Sequence, residues 1–174
     1  MNPPTIRPAV AGDAAAVRDI YAPIVADTTI SFESEPPDVA TMAGRIATAS
    51  AHHAWLVAER GGQVAGYAYG GPHRARHAYR FSTEVSVYVH ADHRGAGVGL
   101  ALYRALFEAL TARGYWHAYA GITQPNAPSA ALHAAAGFER IGRFPRVGYK
   151  FGAWHDVDWW YRPLQEDHPE GDPA

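Results

Sequence analysis

The chain has 174 residues, 48% hydrophobic and 18% charged, with a formal net charge of -2. That profile suits one globular domain, and the lack of a basic surplus argues against nucleic-acid or membrane-surface partners. No cysteine is present, which excludes disulfides, thiolate metal ligands and a cysteine nucleophile.

Met1 to Thr5 has neither the charged nor the apolar region of a signal peptide, and no apolar run approaches a membrane span. The expectation is therefore a soluble, cytoplasmic protein. Thr5 to Pro8 suits a short first strand, and Asp13 suits an N-cap for a helix with Val17, Ile20, Tyr21 and Ile24 on one face. A weaker helix follows Pro36-Pro37 through Met42 and Ile46. Trp55 to Ala58 and Val64 to Tyr69 read as a hairpin about Gly61-Gly62. From Phe81 to His90, Phe81, Thr83, Val85, Val87 and Val89 alternate with Ser82, Glu84, Ser86, Tyr88 and His90, a strand with one apolar and one polar face. After the turn Ala91-Asp92-His93 comes Arg94-Gly95-Ala96-Gly97-Val98-Gly99-Leu100. A helix then carries Leu102, Leu106, Ala109 and Leu110 and stops near Gly114. Tyr115 to Ile122 reads as a strand. Asn126 suits the cap of a short helix ending at Gly137, and Arg140 to Phe144 with Val157 to Pro163 suit a closing hairpin. The fold class is α/β (α+β), a mixed, mostly antiparallel sheet flanked by helices. One domain is expected over 1–164, followed by a polar tail, 165–174, that frays.

A strand, a loop with alternating glycines and a helix together make a phosphate site. Glycines let the backbone approach, the first-turn N–H groups face the anion, and Arg94 adds charge. Gly97-Val98-Gly99-Leu100 lacks the Lys-Ser/Thr ending of a P-loop. A dinucleotide fingerprint would sit early in the chain with an acid about 20 residues on, so the diphosphate of another cofactor fits better.

The spacing Arg-x-x-Gly-x-Gly after an apolar strand resembles motif A of the GNAT acetyltransferases. The resemblance runs from Ile6 to Leu164 and is closest to the phosphinothricin and methionine sulfoximine acetyltransferase branch. It is carried by Thr28 to Pro36, Gly66-Tyr67-Ala68, Gly71-Pro72, Arg74-Ala75-Arg76 with Ala78-Tyr79, Glu84 to Val89 and Gly148 to Val157. The resemblance implies the GNAT fold with a splayed strand at the acetyl-CoA site. It implies acetyl-CoA as co-substrate, with its diphosphate on Arg94, Gly95, Ala96, Gly97, Val98, Gly99 and Leu100. Its pantetheine arm would pair with Val87, Tyr88 and Val89, near Asn126, Ser129, His133 and Ala135. His133 is either a polar contact near the thiol or a helix-surface histidine. No tyrosine stands where many GNAT enzymes keep a general acid on this helix, so the thiolate would leave unassisted.

Acetyl transfer needs a neutral amine, and an α-amino group has a pKa of about 7.7–8.0. Glu84, on the polar face of its strand and at the family's acidic position, is the candidate general base. Direct attack needs only positioning, deprotonation and a backbone N–H for the oxyanion. Substrate recognition is expected from the loop 73–80, where Arg74, Arg76 and Arg80 offer planar forks for a carboxylate or phosphinate. By resemblance, His77, Ala78, Tyr79 and Arg80 line the amino-acid pocket, and Phe32 and Glu33 form another wall. The phosphinothricin enzymes carry an acid at the place of Arg80 and the sulfoximine and sulfone enzymes an arginine, so the resemblance leans toward the latter. The ten histidines lack a carboxylate cluster at ligand spacing, so no metal is expected. By resemblance the protein is a homodimer. A protein N-terminal or lysine acetyltransferase, and a CoA-binding module without turnover, stay open as alternatives.

Overall fold

The computed structural model describes residues 3–165, so the predicted polar tail beyond Gln165 lies outside the described residues. The strands are β1 (Thr5–Pro8), β2 (Trp55–Arg60), β3 (Gln63–Pro72), β4 (Ser82–Val89), β5 (His117–Thr123), β6 (Glu139–Lys150) and β7 (Ala153–Pro163). The helices are α1 (Ala14–Asp27), α2 (Val39–His52), α3 (Val98–Thr111) and α4 (Ala127–Ala135). One sheet runs in the order β1-β2-β3-β4-β5-β7-β6. Every neighbouring pair is antiparallel except β4 with β5.

Strand alternation sends side chains to two apolar layers. Leu56, Ala58, Ala65 and Val85 pack with Leu102, Leu106 and Leu110 of α3. Trp55, Val57 and Tyr67 pack with Val17, Ile20 and Val25 of α1 and with Met42 and Ile46 of α2. The expected polar face of β4 is thus covered rather than bathed in solvent: Tyr88 packs edge-on against Tyr21 at 5.1 Å. Gly66 lets β3 and β4 approach here, since a Cβ on it would meet Tyr88 O at 2.8 Å.

The helix ends follow local chemistry. Asp38 caps α2 by accepting from Thr41 N at 2.7 Å, and Asn126 caps α4 by accepting from Ser129 N at 3.2 Å. Gly114 and Gly137 adopt φ 83 past the ends of α3 and α4. Asp13 departs from expectation. It has helical dihedrals and makes no side-chain cap to α1. Its two oxygens instead accept from Arg7 Nη1 and Nη2, both at 2.8 Å, and from Val10 N. A bidentate charged pair outcompetes a single capping bond.

The closing hairpin is longer than the sequence suggests, with β6 and β7 joined through Phe151 and Gly152 at φ 51 and 76. Asp158 of β7 clamps it, accepting from Arg143 Nε at 2.6 Å and Arg140 Nε at 2.8 Å. The hydrogen bond from Arg143, followed by that from Arg140, holds the Asp158 carboxyl down at about 2 against an ordinary 3.8. A carboxyl depressed in the folded state stabilises above its unfolded pKa and loses that contribution as pH falls through the folded one. Unfolding free energy is therefore expected to fall between about pH 4 and pH 2, with a shallower acid limb in Asp158→Asn. Urea titrations at several pH values that give parallel limbs for the two proteins would refute the clamp.

Candidate active site

Strand β4 pairs with β3 from Thr83↔Pro72 to its end at Val89↔Gly66. It pairs with β5 only at Ser82, Thr83 and Glu84, opposite His117, Ala118 and Tyr119. Past this last rung the two parallel strands diverge, leaving one main-chain edge of Val85–Val89 without a strand partner. The space beside it is a cavity of about 530 Å³. Its lining brings together Val87, Tyr88, Val89, Arg94, Gly95, Gly97, Val98, Gly99, Leu100, Asn126 and Ser129. Ile24, Ile30, His93, Pro128 and Leu132 complete it.

The three loop glycines play different parts. Gly95 and Gly97 adopt φ 70 and 77, a region L side chains avoid, and a Cβ on either would meet only open space. Gly97 is the N-cap of α3, and no side chain caps that end. The first residue of the turn to donate back along the helix is Ala101, to Gly97 O at 3.1 Å. The N–H groups ahead of it lack intrahelical acceptors, as at any helix start, and so suit an anion. Gly99 serves packing instead: a Cβ there would meet Leu132 Cδ2 of α4 at 2.9 Å.

Ala96, His133 and Ala135 do not line the cavity. Ala96 packs on the core, and Ala135 is exposed at the end of α4. His133 is neither on the helix surface nor in the cavity wall. It is 5% exposed, with Nε2 2.8 Å from the Tyr103 hydroxyl and Nδ1 2.8 Å from Ser129 O. It serves as a buried brace between α3 and α4.

Glu84 stands at the fork, on the last β4–β5 rung. Its Oε1 accepts from Arg74 Nη1 at 3.0 Å and lies 2.9 Å from His73 Nδ1. Arg74 also donates to His73 O and lies over the Trp159 ring. Tyr79 turns its ring edge to His73 at 5.8 Å, joining this group. His77, Ala78 and Arg80 belong to an exposed single turn beyond it, with Arg80 stacked on Phe81 at 4.2 Å.

Phe32 and Glu33 lie on the α1–α2 connection. Glu33 accepts from Arg45 at 2.7 and 3.0 Å and from the Tyr21 hydroxyl at 2.8 Å. The hydrogen bonds from Arg45 hold its carboxyl below the ordinary range. The Phe32 ring fills the place a Cβ on Gly148 would take. Lys150, buried, donates to Val25 O at 2.6 Å and Ser31 O at 2.7 Å. The stretches Thr28 to Pro36 and Gly148 to Val157, far apart in sequence, are thereby sewn together.

Sequence reasoning named the 73–80 loop but passed over His73 itself, and over Lys150 and Tyr119. Only the hairpin register Pro72↔Thr83, which puts His73 beside Glu84, could have singled it out. Among the described residues no group of His, Cys, Asp or Glu could hold a metal ion, and no helix is long and apolar enough to cross a membrane.

The fork in the parallel pair thus opens beside the glycine-rich start of α3. The profile of the acetyltransferase (GNAT) family matches residues 17–138. The chain is 40% identical over 168 residues to a phosphinothricin N-acetyltransferase of Streptomyces viridochromogenes, covering 97% of this chain and 92% of that protein. It is 39% identical over 155 residues to an L-methionine sulfoximine/L-methionine sulfone acetyltransferase of Pseudomonas aeruginosa, with 88% and 90% covered. The structure resembles a GNAT superfamily phosphinothricin acetyltransferase from Sinorhizobium meliloti in complex with AcCoA. The TM-score is 0.93 at 37% identity, with 99% of this chain and 94% of that one covered. The chain belongs to the GNAT acetyltransferase family and is an N-acetyltransferase.

Burial holds the His133 imidazole below its ordinary 6.5. Below that pH the unfolded chain takes up a proton that the folded one refuses, so stability rises with pH through this window and is complete above it. Replacing His133 with Gln is expected to flatten the rise in unfolding free energy between about pH 5 and pH 7. An unchanged slope would count against the buried brace.

Proposed function

We propose that the protein transfers the acetyl group of acetyl-CoA to the α-amino group of a small amino-acid analogue of the methionine sulfoximine, methionine sulfone or phosphinothricin class. The observation that carries this reading is an order along the chain. Glu84 stands on the last β4–β5 rung, the edge of Val87–Val89 beyond it lines the cavity without a strand partner, and the open glycine turn at the start of α3 comes next in the same cavity wall.

The residues fit the co-substrate. Gly95 and Gly97 leave space for a diphosphate on the first-turn N–H groups, with the Arg94 guanidinium at the rim. The unpaired edge of Val87–Val89 offers donors and acceptors to the amides of a pantetheine arm, as an added strand would. When bound, acetyl-CoA supplies a thioester carbonyl open to attack. The chain's own contributions are three. A main-chain N–H from the Val87–Val89 edge steadies the carbonyl oxygen. Glu84 removes a proton from the substrate ammonium, directly or through water. Arg74 offers its planar fork to the substrate carboxylate, exchanging it for Glu84 Oε1.

The reading extends to assembly as a homodimer. β6 is an edge strand, and the tip of the β6–β7 hairpin exposes Tyr149, Phe151 and Trp154 by 60% or more. Phe144 and Val147 extend the apolar surface along β6, and exposed patches of this kind mark interaction surfaces.

Thiol release from acetyl-CoA is expected with methionine sulfoximine, methionine sulfone or phosphinothricin. Release with peptides alone would shift the assignment to protein acetylation, and release with none would favour the non-catalytic module. In Glu84→Gln, turnover is expected to fall by roughly 10²–10⁴-fold while the dissociation constant of CoA holds. Full activity would remove Glu84 from the chemistry. For assembly, Trp154→Asp combined with Phe151→Asp is expected to halve the mass measured by light scattering, and a wild-type protein that is already monomeric would end the dimer proposal.

A further inference from the structure

Glu84 receives two partners, and both meet the same atom. His73 Nδ1 lies 2.9 Å from Oε1 and Arg74 Nη1 lies 3.0 Å from it, while Oε2 has no partner among the described residues. Those partners differ in how firmly they are held. The Arg74 side chain is 46% exposed and the His73 side chain 13%. The His73 ring stacks on Tyr119 at 4.5 Å with an interplanar angle of 16°. It makes T-shaped contacts with the Tyr79 and Trp159 rings, at centroid distances of 5.8 and 6.1 Å. Tyr119 is the residue opposite Glu84 on the last β4–β5 rung. The imidazole is therefore fixed to the strand pair at the last rung before β4 and β5 diverge.

We infer that His73 is a positioning residue for the acetyl transfer: its Nδ1–H holds Oε1 of Glu84 so that Oε2 is the atom turned to the amine. The inference rests on Glu84 serving as the base. A carboxylate accepts only, so the ring nitrogen facing it must carry the proton. That fixes the imidazole as the Nδ1–H tautomer or as the doubly protonated cation.

The division of labour follows from charge. A substrate carboxylate competes for the planar fork of Arg74, the more exposed of the two partners. Once Arg74 swings to the substrate, Glu84 would be free to rotate about its side-chain bonds, and a loosely held base loses rate steeply with small displacements. The stacked imidazole stays and keeps the carboxylate aimed through that exchange.

The test compares wild type with His73→Phe, His73→Asn and Glu84→Gln, using acetyl-CoA and the amino substrate with the fastest thiol release. Phenylalanine keeps the stack on Tyr119 but has no N–H, whereas the asparagine amide returns a donor close to the position of Nδ1. His73→Phe is expected to lower kcat by about 10- to 100-fold with KM for acetyl-CoA unchanged, and His73→Asn to recover most of the loss. The ¹⁵N shifts of the His73 ring in the ligand-free enzyme are expected to report a protonated Nδ1 in wild type. Wild-type kcat in His73→Phe, equal losses in the two variants, or a ring protonated at Nε2 alone would each overturn the inference. Slow Glu84→Gln beside fast His73→Phe defeats the role of His73 alone, whereas fast Glu84→Gln defeats the base assignment beneath it.

Discussion

The functional architecture depends on where one ladder of hydrogen bonds stops. β4 and β5 are the single parallel pair in an otherwise antiparallel sheet, and they share three rungs. A sheet interior normally satisfies every main-chain donor and acceptor, so an edge left open inside a folded layer is free for a ligand to complete. β4 cannot follow β5 because it is held to β3 to its very end, at Gly66↔Val89. β5 in turn is held to β7 from His117↔Pro163 to Thr123↔Val157. Each strand has an antiparallel partner on its outer side that runs past the fork, and the fork is the space between these two ribbons.

Around that fork the protein separates rigidity from access. Behind the cleft, Tyr103 and His133 join α3 to α4 through a buried hydrogen bond, and Gly99 lets the two helices touch. In front, the turn at Gly95 and Gly97 carries no side chain that would fill the space an anion needs. The α1–α2 connection is pinned over the sheet by Lys150, whose ammonium takes two carbonyls that α1 and its following turn would otherwise leave unpaired. Burying a cation is unfavourable unless its hydrogen bonds are met, and the Glu33–Arg45 pair adds charge order beside it. These contacts explain why two distant stretches of sequence share the family pattern: they are two sides of one joint.

The surroundings of Glu84 show how a candidate residue can be visible in the sequence while its neighbours stay hidden. An acidic residue on the polar face of β4, ahead of a glycine-rich turn, is conspicuous in the sequence. That Arg74 engages this carboxylate, and that His73 lies stacked between it and β5, depends on a hairpin register and on a strand arriving from 35 residues downstream.

Much of the fold was legible because its signals are local. Alternation marked β4, apolar spacing marked α1 and α3, and glycine or asparagine marked the ends of α3 and α4. The glycine-rich turn was legible for the same reason, since the left-handed positions at Gly95 and Gly97 follow from residue type within a few bonds. Asp13 was misread because a bidentate arginine from the preceding strand outbid the local cap. His133 was misread because helix periodicity could not reveal that Tyr103 and Phe138 close over it. The sequence by itself determined the elements and the glycine-rich turn at the start of α3. The tertiary structure alone decided the length of the β4–β5 ladder, the partners of Glu84 and the anchoring of Lys150 to Val25, because each is a contact between segments far apart along the chain, where no local pattern specifies which groups meet.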